Sequence, residues 1–114
     1  MLERLIVLSK DLQFTTSINL GEIYYGASRY KNKEVIIKAF KEKVFSNVTV
    51  LSFDSESAKI YGELKAKLEK EGKSKSEPDL RIAAIAIQHK LILVTGNVKH
   101  FSDIPSLKVE NWIS

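Results

Sequence analysis

Residues 76–95 read SEPDLRIAAIAIQHKLILVT, and this stretch decides the fold class. Ser76 is a helix cap and Pro78 suits a first helical turn. The run that follows, residues 80–88, is apolar almost all round, which predicts a deeply buried helix. The continuous apolar run at residues 91–95 is typical of a strand that is covered on both faces, as strands of parallel sheets are.

On either side of residues 76–95, the spacing of apolar residues alternates between the period of a strand and the period of a helix. It predicts further strands at residues 13–16, 48–53 and 107–112. It predicts further helices at residues 1–11, from a cap at Ser17 or Asn19 to about Tyr30, at 33–45, and from a cap at Asp54 to a stop at Gly72. In the helix after Asp54 the residues expected to face inward are Ala58, Ile60, Tyr61, Leu64 and Leu68. Strands that alternate with helices indicate an α/β fold with a parallel sheet covered by helices.

Composition indicates one ordinary globular domain over residues 1–114. No apolar run is long enough for a membrane span, and the absence of cysteine fits a cytoplasmic protein. The net charge of +4 favours a polyanionic partner such as RNA. Much of the clustered positive charge lies in a lysine-rich segment, residues 65–75 (KAKLEKEGKSK). This segment is either the basic end of a helix or a nucleic-acid patch, and the helix end is the simpler interpretation.

Residues that could hold a divalent metal stand just after predicted strands and in first helical turns. Metal-assisted cleavage of a phosphodiester needs several carboxylates at one point, which in an α/β fold lies beyond the carboxyl ends of the strands. Glu22 and Asp79 meet this description, and Asn97 can bind a hard cation through its amide oxygen. Each also has a simpler explanation, because Glu22 and Asp79 have capping-box spacing from Asn19 and Ser76, and Asn97 suits a turn.

Three further residues are weaker candidates. Glu77 shares the first helical turn with Asp79 and is either an additional metal ligand or a solvated neighbour. His89 is predicted to end a helix, where a cation suits the helix dipole. His100 lies close to Asn97 in sequence and could meet a phosphate, although a surface histidine is the simpler interpretation. No catalytic triad, phosphate-binding glycine loop or zinc site is indicated.

Four ordered segments resemble the conserved blocks of VapC-type PIN domains. They are residues 16–27 (TSINLGEIYYGA), 77–84 (EPDLRIAA), 91–101 (LILVTGNVKHF) and the tail at 104–112. The resemblance implies a three-layer α/β/α fold with a parallel sheet, and cleavage of RNA by Mg²⁺ or Mn²⁺ held by clustered acids. It also implies a toxin that is neutralised by a VapB-type antitoxin and that commonly dimerises.

The site residues carry over motif by motif. By resemblance, Glu22 and Asp79 match two of the family's acids, and Asn97 falls where the family has Asp or Asn. Glu77 falls where many members have a further acid. The resemblance therefore implies a catalytic and metal-binding set of Glu22, Asp79 and Asn97, with Glu77 as an additional ligand.

One departure from the family pattern concerns the first residues. Members of the family begin with a central hydrophobic strand that ends in Asp-Thr-Asn or similar, and no such motif occurs in this chain. We therefore expect a sheet of four strands and an incomplete acidic site with impaired or no activity. Three explanations stay open: a start at an internal Met, a naturally shortened relative, or a gap filled by another chain or by strand exchange between protomers.

These observations leave three hypotheses of different kinds. The first is a metal-dependent endoribonuclease of toxin type. The second is a non-catalytic PIN remnant that binds an antitoxin-like peptide or its own copy. The third is a basic RNA-binding module without hydrolysis, which depends on the lysine-rich segment.

Overall fold

The computed structural model describes residues 14–43, 49–95 and 98–111. The helix predicted at residues 1–11 and the candidate Asn97 lie outside these ranges. The elements in chain order are β1 (Phe14–Thr16), α1 (Ser17–Ser28), α2 (Lys33–Lys43), β2 (Thr49–Leu51), α3 (Ser55–Lys70), α4 (Glu77–His89), β3 (Leu93–Thr95), α5 (Val98–Phe101) and β4 (Val109–Asn111).

The four described strands are all short and all pair in parallel. β1 pairs with β2, and β3 pairs with β4, so the described strands form two two-stranded sheets. Each strand is three residues long, shorter than the apolar runs that predicted it. The predicted α/β class with parallel strands is confirmed. The predicted absence of a first central strand concerns residues outside the described ranges and stays a prediction.

The cap of α1 is not the one the sequence predicts. Thr16 is the last extended residue, and its hydroxyl oxygen accepts a hydrogen bond from the backbone N–H of Asn19 at 3.0 Å. The prediction of a cap at Ser17 or Asn19 was therefore wrong, because both residues already lie inside the helix. Asn19 is instead buried, and its side-chain amide donates to the hydroxyl of Thr15 at 3.2 Å.

Helix α3 has the predicted ends. Asp54 caps it, since the carboxylate accepts from the N–H of Ser57 at 3.0 Å while the Ser57 hydroxyl accepts from the N–H of Asp54 at 3.2 Å. At the other end Gly72 has a φ of +72°, a conformation that glycine adopts without strain. Leu64 and Leu68 face the core as predicted, but Ala58 is exposed and the neighbouring Ser57 is buried instead.

Helix α4 is the centre of the core, as its apolar sequence predicts. Ser76 caps it, Pro78 lies in its first turn and His89 is its last residue. Residues 82–86 are fully buried, and Leu64, Leu68, Leu93, Phe101 and Ile104 belong to the same core cluster. The helix begins at Glu77, directly after the predicted cap, so the candidate Asp79 lies inside its first turn as predicted. No helix within the described ranges has both the length and the apolar character needed to cross a membrane.

Candidate active site

Asp79 is held by the start of α4. Its backbone N–H donates to the hydroxyl of the capping Ser76 at 3.3 Å, which fixes it as the third residue of the helix. Its side chain is only 3% exposed. Backbone N–H groups and the helix dipole favour a negative charge at this end of a helix. The sequence therefore places a buried carboxylate where α4 can stabilise it.

His100 lies beside this carboxylate. Its Nε2 atom is 2.8 Å from Oδ2 of Asp79, and its side chain is 44% exposed. The prediction of a surface histidine is thus right about exposure, but sequence reasoning missed the contact with Asp79. The buried ring of Phe101 anchors α5 and leaves His100 at the rim of the core, a placement that the sequence alone does not indicate.

The buried oxygen of Asp79 fits a hard cation. The contact from His100 has the length of an ion pair, but Oδ2 takes part in no well-directed hydrogen bond within the described part of the chain. A buried carboxylate oxygen is costly unless it is paired, hydrogen-bonded or bound to a metal. Carboxylate oxygens are also the ligands that Mg²⁺ and Mn²⁺ prefer. Asp79 therefore has the donor chemistry and the burial that a metal ligand needs.

Glu22 lies in the second turn of α1, the helix that packs against α4. The capping-box explanation for Glu22 fails, because Asn19 is a helical residue and does not cap α1. Glu22 instead lines a cavity of about 280 Å³ together with Asn19 and the tyrosines at the end of the helix. In residues 14–43, 49–95 and 98–111, no three acidic or histidine side chains form a cluster that could hold a metal.

Glu77 contacts a different set of residues from Asp79. Its Oε1 accepts from the Lys65 ammonium at 2.6 Å, and its Oε2 accepts from the Tyr61 hydroxyl at 2.5 Å. The Lys65 ammonium and then the Tyr61 hydroxyl hold the pKa of Glu77 below its usual range. The same contact, with Glu77 as the main cause, raises the pKa of Lys65. Both carboxylate oxygens are thus engaged, which speaks against the predicted role of Glu77 as a metal ligand.

Replacing Glu77 by glutamine is expected to lower the thermal midpoint near neutral pH but not in acid. The folded-state pKa of Glu77 lies below its ordinary value of 4.5, so its contacts stabilise the fold above that pH. Their contribution is lost as the pH falls through the folded-state pKa. Since Glu77 is 44% exposed, solvent screens the effect and we expect it to be small.

The measurement is thermal unfolding of both proteins at about pH 7 and about pH 3, followed by circular dichroism. The exposed Glu63→Gln on α3 is the matched control, with no difference expected at either pH. A difference between wild type and Glu77→Gln that is as large in acid as at neutral pH would contradict the role of the Lys65–Glu77 contact.

The lysine-rich segment is largely neutralised by neighbouring acids. Lys65 contacts Glu77, Lys73 lies 3.4 Å from Glu71, and Lys75 lies 2.7 Å from Asp103. The Lys75 ammonium also holds the pKa of Asp103 below its usual range. These pairs favour the helix-end interpretation of the segment over a nucleic-acid patch.

Comparison with known proteins identifies the family. The PIN domain family matches residues 2–107. Over 98 residues the chain is 39% identical to Ribonuclease VapC2 of Haemophilus influenzae, covering 86% of this chain and 74% of that protein. Over 97 residues it is 33% identical to the tRNA(fMet)-specific endonuclease VapC of Salmonella typhimurium, covering 85% and 73%.

A solved structure agrees with these relatives. VapBC2 from Rickettsia felis, bound to a DNA fragment from the promoter, superposes with a TM-score of 0.79 at 38% identity. The match covers 85% of this chain and 72% of that one. The chain belongs to the PIN-domain family and, within it, to the VapC ribonucleases. The resemblance carried by the four sequence segments is thereby confirmed.

Proposed function

We propose that the chain is a divalent-metal-dependent endoribonuclease, the toxin component of a toxin–antitoxin system. The observation that carries the proposal is the buried carboxylate of Asp79 at the start of α4, with His100 at 2.8 Å. A buried charge beside the apolar core residues of α4 is costly, and functional sites are where costly buried charges are retained. Because the chain belongs to the VapC ribonucleases, metal-dependent cleavage of RNA is the reaction that we propose for this carboxylate.

Asp79, Glu22 and Asn97 are the residues that we propose to hold Mg²⁺ or Mn²⁺. When bound, such a metal activates a water molecule and neutralises charge on the phosphate that is cleaved. The start of α4 fixes Asp79 in place. His100 restrains the Asp79 carboxylate through Oδ2 and presents its exposed ring edge toward solvent, where a phosphate oxygen of the substrate arrives.

The partners that we propose follow from the relatives. The substrate is RNA, because the similar proteins are named ribonucleases and a tRNA-specific endonuclease. A VapB-type antitoxin is the protein partner, because similar structures are VapBC complexes. We further propose a cytoplasmic protein whose described elements form one PIN-like domain around the α4 core, and which associates with a second copy.

RNA cleavage tests the proposal directly. We expect the purified chain to cut single-stranded RNA in the presence of Mg²⁺ or Mn²⁺, and a chelator to stop the reaction. Cleavage that continues in chelator would overturn the metal-dependent mechanism. A rate far below that of the Haemophilus influenzae relative, measured in parallel, would support the predicted impairment, and an equal rate would contradict it.

A further inference from the structure

A cavity opens along α1 directly from the candidate acid Glu22. It has a volume of about 280 Å³ and runs from Asn19 and Glu22 to Arg29 and Tyr30 at the end of the helix. Residues three and four apart share one face of a helix, so this cavity follows a single face of α1. An elongated ligand with one group at Glu22 would therefore place its next groups against Tyr25, Arg29 and Tyr30.

Two large aromatic rings at this end of the cavity are left in water. The exposed fraction is 69% for Tyr25 and 60% for Tyr30, and both residues line the cavity. The guanidinium of Arg29 lies 6.0 Å from the centre of the Tyr25 ring. Unpaired nucleobases stack on exposed tyrosine rings and on arginine guanidinium planes. The chemistry at this end of the cavity is thus suited to flat, unpaired bases.

The turn between α1 and α2 adds uncompensated positive charge. Residues 29–33 read RYKNK, which places Arg29, Lys31 and Lys33 around Tyr30. Neither lysine forms an ion pair with another residue in the described ranges, whereas Lys65, Lys73 and Lys75 each face a carboxylate. Cations that carry no carboxylate partner are available to phosphates, so this turn offers positive charge to a polyanion beside the exposed rings.

We propose that Tyr25, Arg29, Tyr30, Lys31 and Lys33 form a docking platform for single-stranded RNA, which we call the tyrosine platform. It binds the nucleotides that flank the phosphate cut at Asp79 and Glu22, and in that respect it rests on the proposed function. The interleaving of rings with cations favours RNA over a protein ligand, because an apolar protein face would leave the cations desolvated and unpaired. The same interleaving is typical of surfaces that bind single strands by stacking and charge.

The test measures binding, with cleavage suppressed by chelator. The probe is a fluorescein-labelled oligouridylate of about 12 nucleotides, followed by anisotropy. We expect Tyr25→Ala/Tyr30→Ala to weaken binding at least about 30-fold, since the stacking of two bases is lost, and Tyr25→Phe/Tyr30→Phe to retain it. We expect Lys31→Gln/Lys33→Gln to lower the slope of log affinity against log salt by about 1.4, or about 0.7 for each phosphate contact.

The control is Lys59→Gln/Lys67→Gln, which removes the same charge from exposed positions on α3 and should change the slope much less. Equal effects of the two lysine pairs would overturn the proposal in favour of general charge. So would unchanged binding in Tyr25→Ala/Tyr30→Ala, or a change of oligomeric state in that variant by light scattering, which would make this face an interface between copies.

The outcome separates this inference from the proposed function. If the tyrosine variant binds RNA weakly and the wild-type chain cleaves no RNA with Mg²⁺ or Mn²⁺, the platform stands and the nuclease proposal fails. If the wild type cleaves and the tyrosine variant binds and cleaves at the same rate, the nuclease proposal stands and the platform fails.

Discussion

Asp79→Asn is expected to abolish metal-dependent RNA cleavage, with a loss of at least about 100-fold in rate. Removing groups that merely support metal ligands costs about 10- to 100-fold, so the loss of a ligand should reach or exceed the upper end. An amide has the same shape as the carboxylate but lacks the negative charge that attracts Mg²⁺ or Mn²⁺. The backbone bond from residue 79 to Ser76 does not depend on the side chain, so α4 should keep its start.

The experiment measures both RNA cleavage and Mn²⁺ binding. The binding is monitored through the paramagnetic signal of Mn²⁺. Glu77→Gln is the matched control in the same helical turn, and it should bind Mn²⁺ as the wild type does, because Lys65 and Tyr61 already engage Glu77. Circular dichroism checks that both variants are folded. If Asp79→Asn binds Mn²⁺ and cuts RNA as well as Glu77→Gln does, the site has been assigned to the wrong carboxylate.

Helix geometry explains why Asp79 and Glu77 make different contacts. Residues two apart in an α-helix point about 200° from one another around the axis, so Glu77 and Asp79 cannot face the same point. With both acids in the first turn of α4, the two carboxylates belong to opposite sides of the helix. The sequence already indicates the cap at Ser76 and puts both acids in the first helical turn, but it leaves open whether Glu77 is a metal ligand or a solvated neighbour. The contacts of Glu77 with Lys65 and Tyr61 depend on the packing of α3 against α4, which a pattern along the chain does not show.

The cap of α1 also could not be predicted from the sequence alone. The segment TTSIN offers a hydroxyl or amide at four of its five positions, and each could accept from a helix N–H. The deciding factor is where the strand ends, and that depends on the pairing of β1 with β2, which brings Thr16 opposite Leu51. A pattern read along the chain carries no information on that register. The buried helix α4 and strand β3 were predictable because continuous apolar character needs no such partner.

The contact between His100 and Asp79 could not be predicted from the sequence for a different reason. The two residues are far apart in the sequence, and only the packing of α5 against the core brings them to 2.8 Å. The turn-like segment that follows β3 gave no indication of a four-residue helix there. Short helices of that kind owe little to intrinsic propensity and are held by tertiary contacts. The position of His100 therefore depends on whatever anchors α5.

Phe101 is that anchor, and Phe101→Ala is expected to lower the free energy of unfolding by about 3–5 kcal/mol. Its ring is 2% exposed and lies in the core cluster with Leu80 and Ile104. Domains of this size have about 5–15 kcal/mol in total, so the variant should be near the limit of folding. Phe101→Leu removes less volume and should lose less stability, which keeps the comparison measurable if the alanine variant does not fold.

Denaturant unfolding gives the free energies, with the exposed Val35→Ala on α2 expected to change them by no more than about 0.5 kcal/mol. Because α5 also carries His100, Phe101→Leu should bind Mn²⁺ about tenfold more weakly, as loss of support to a metal ligand does. A large loss of stability with unchanged Mn²⁺ affinity would mean that His100 does not restrain Asp79. A loss of stability no greater than that of Val35→Ala would show that α5 is not part of the core.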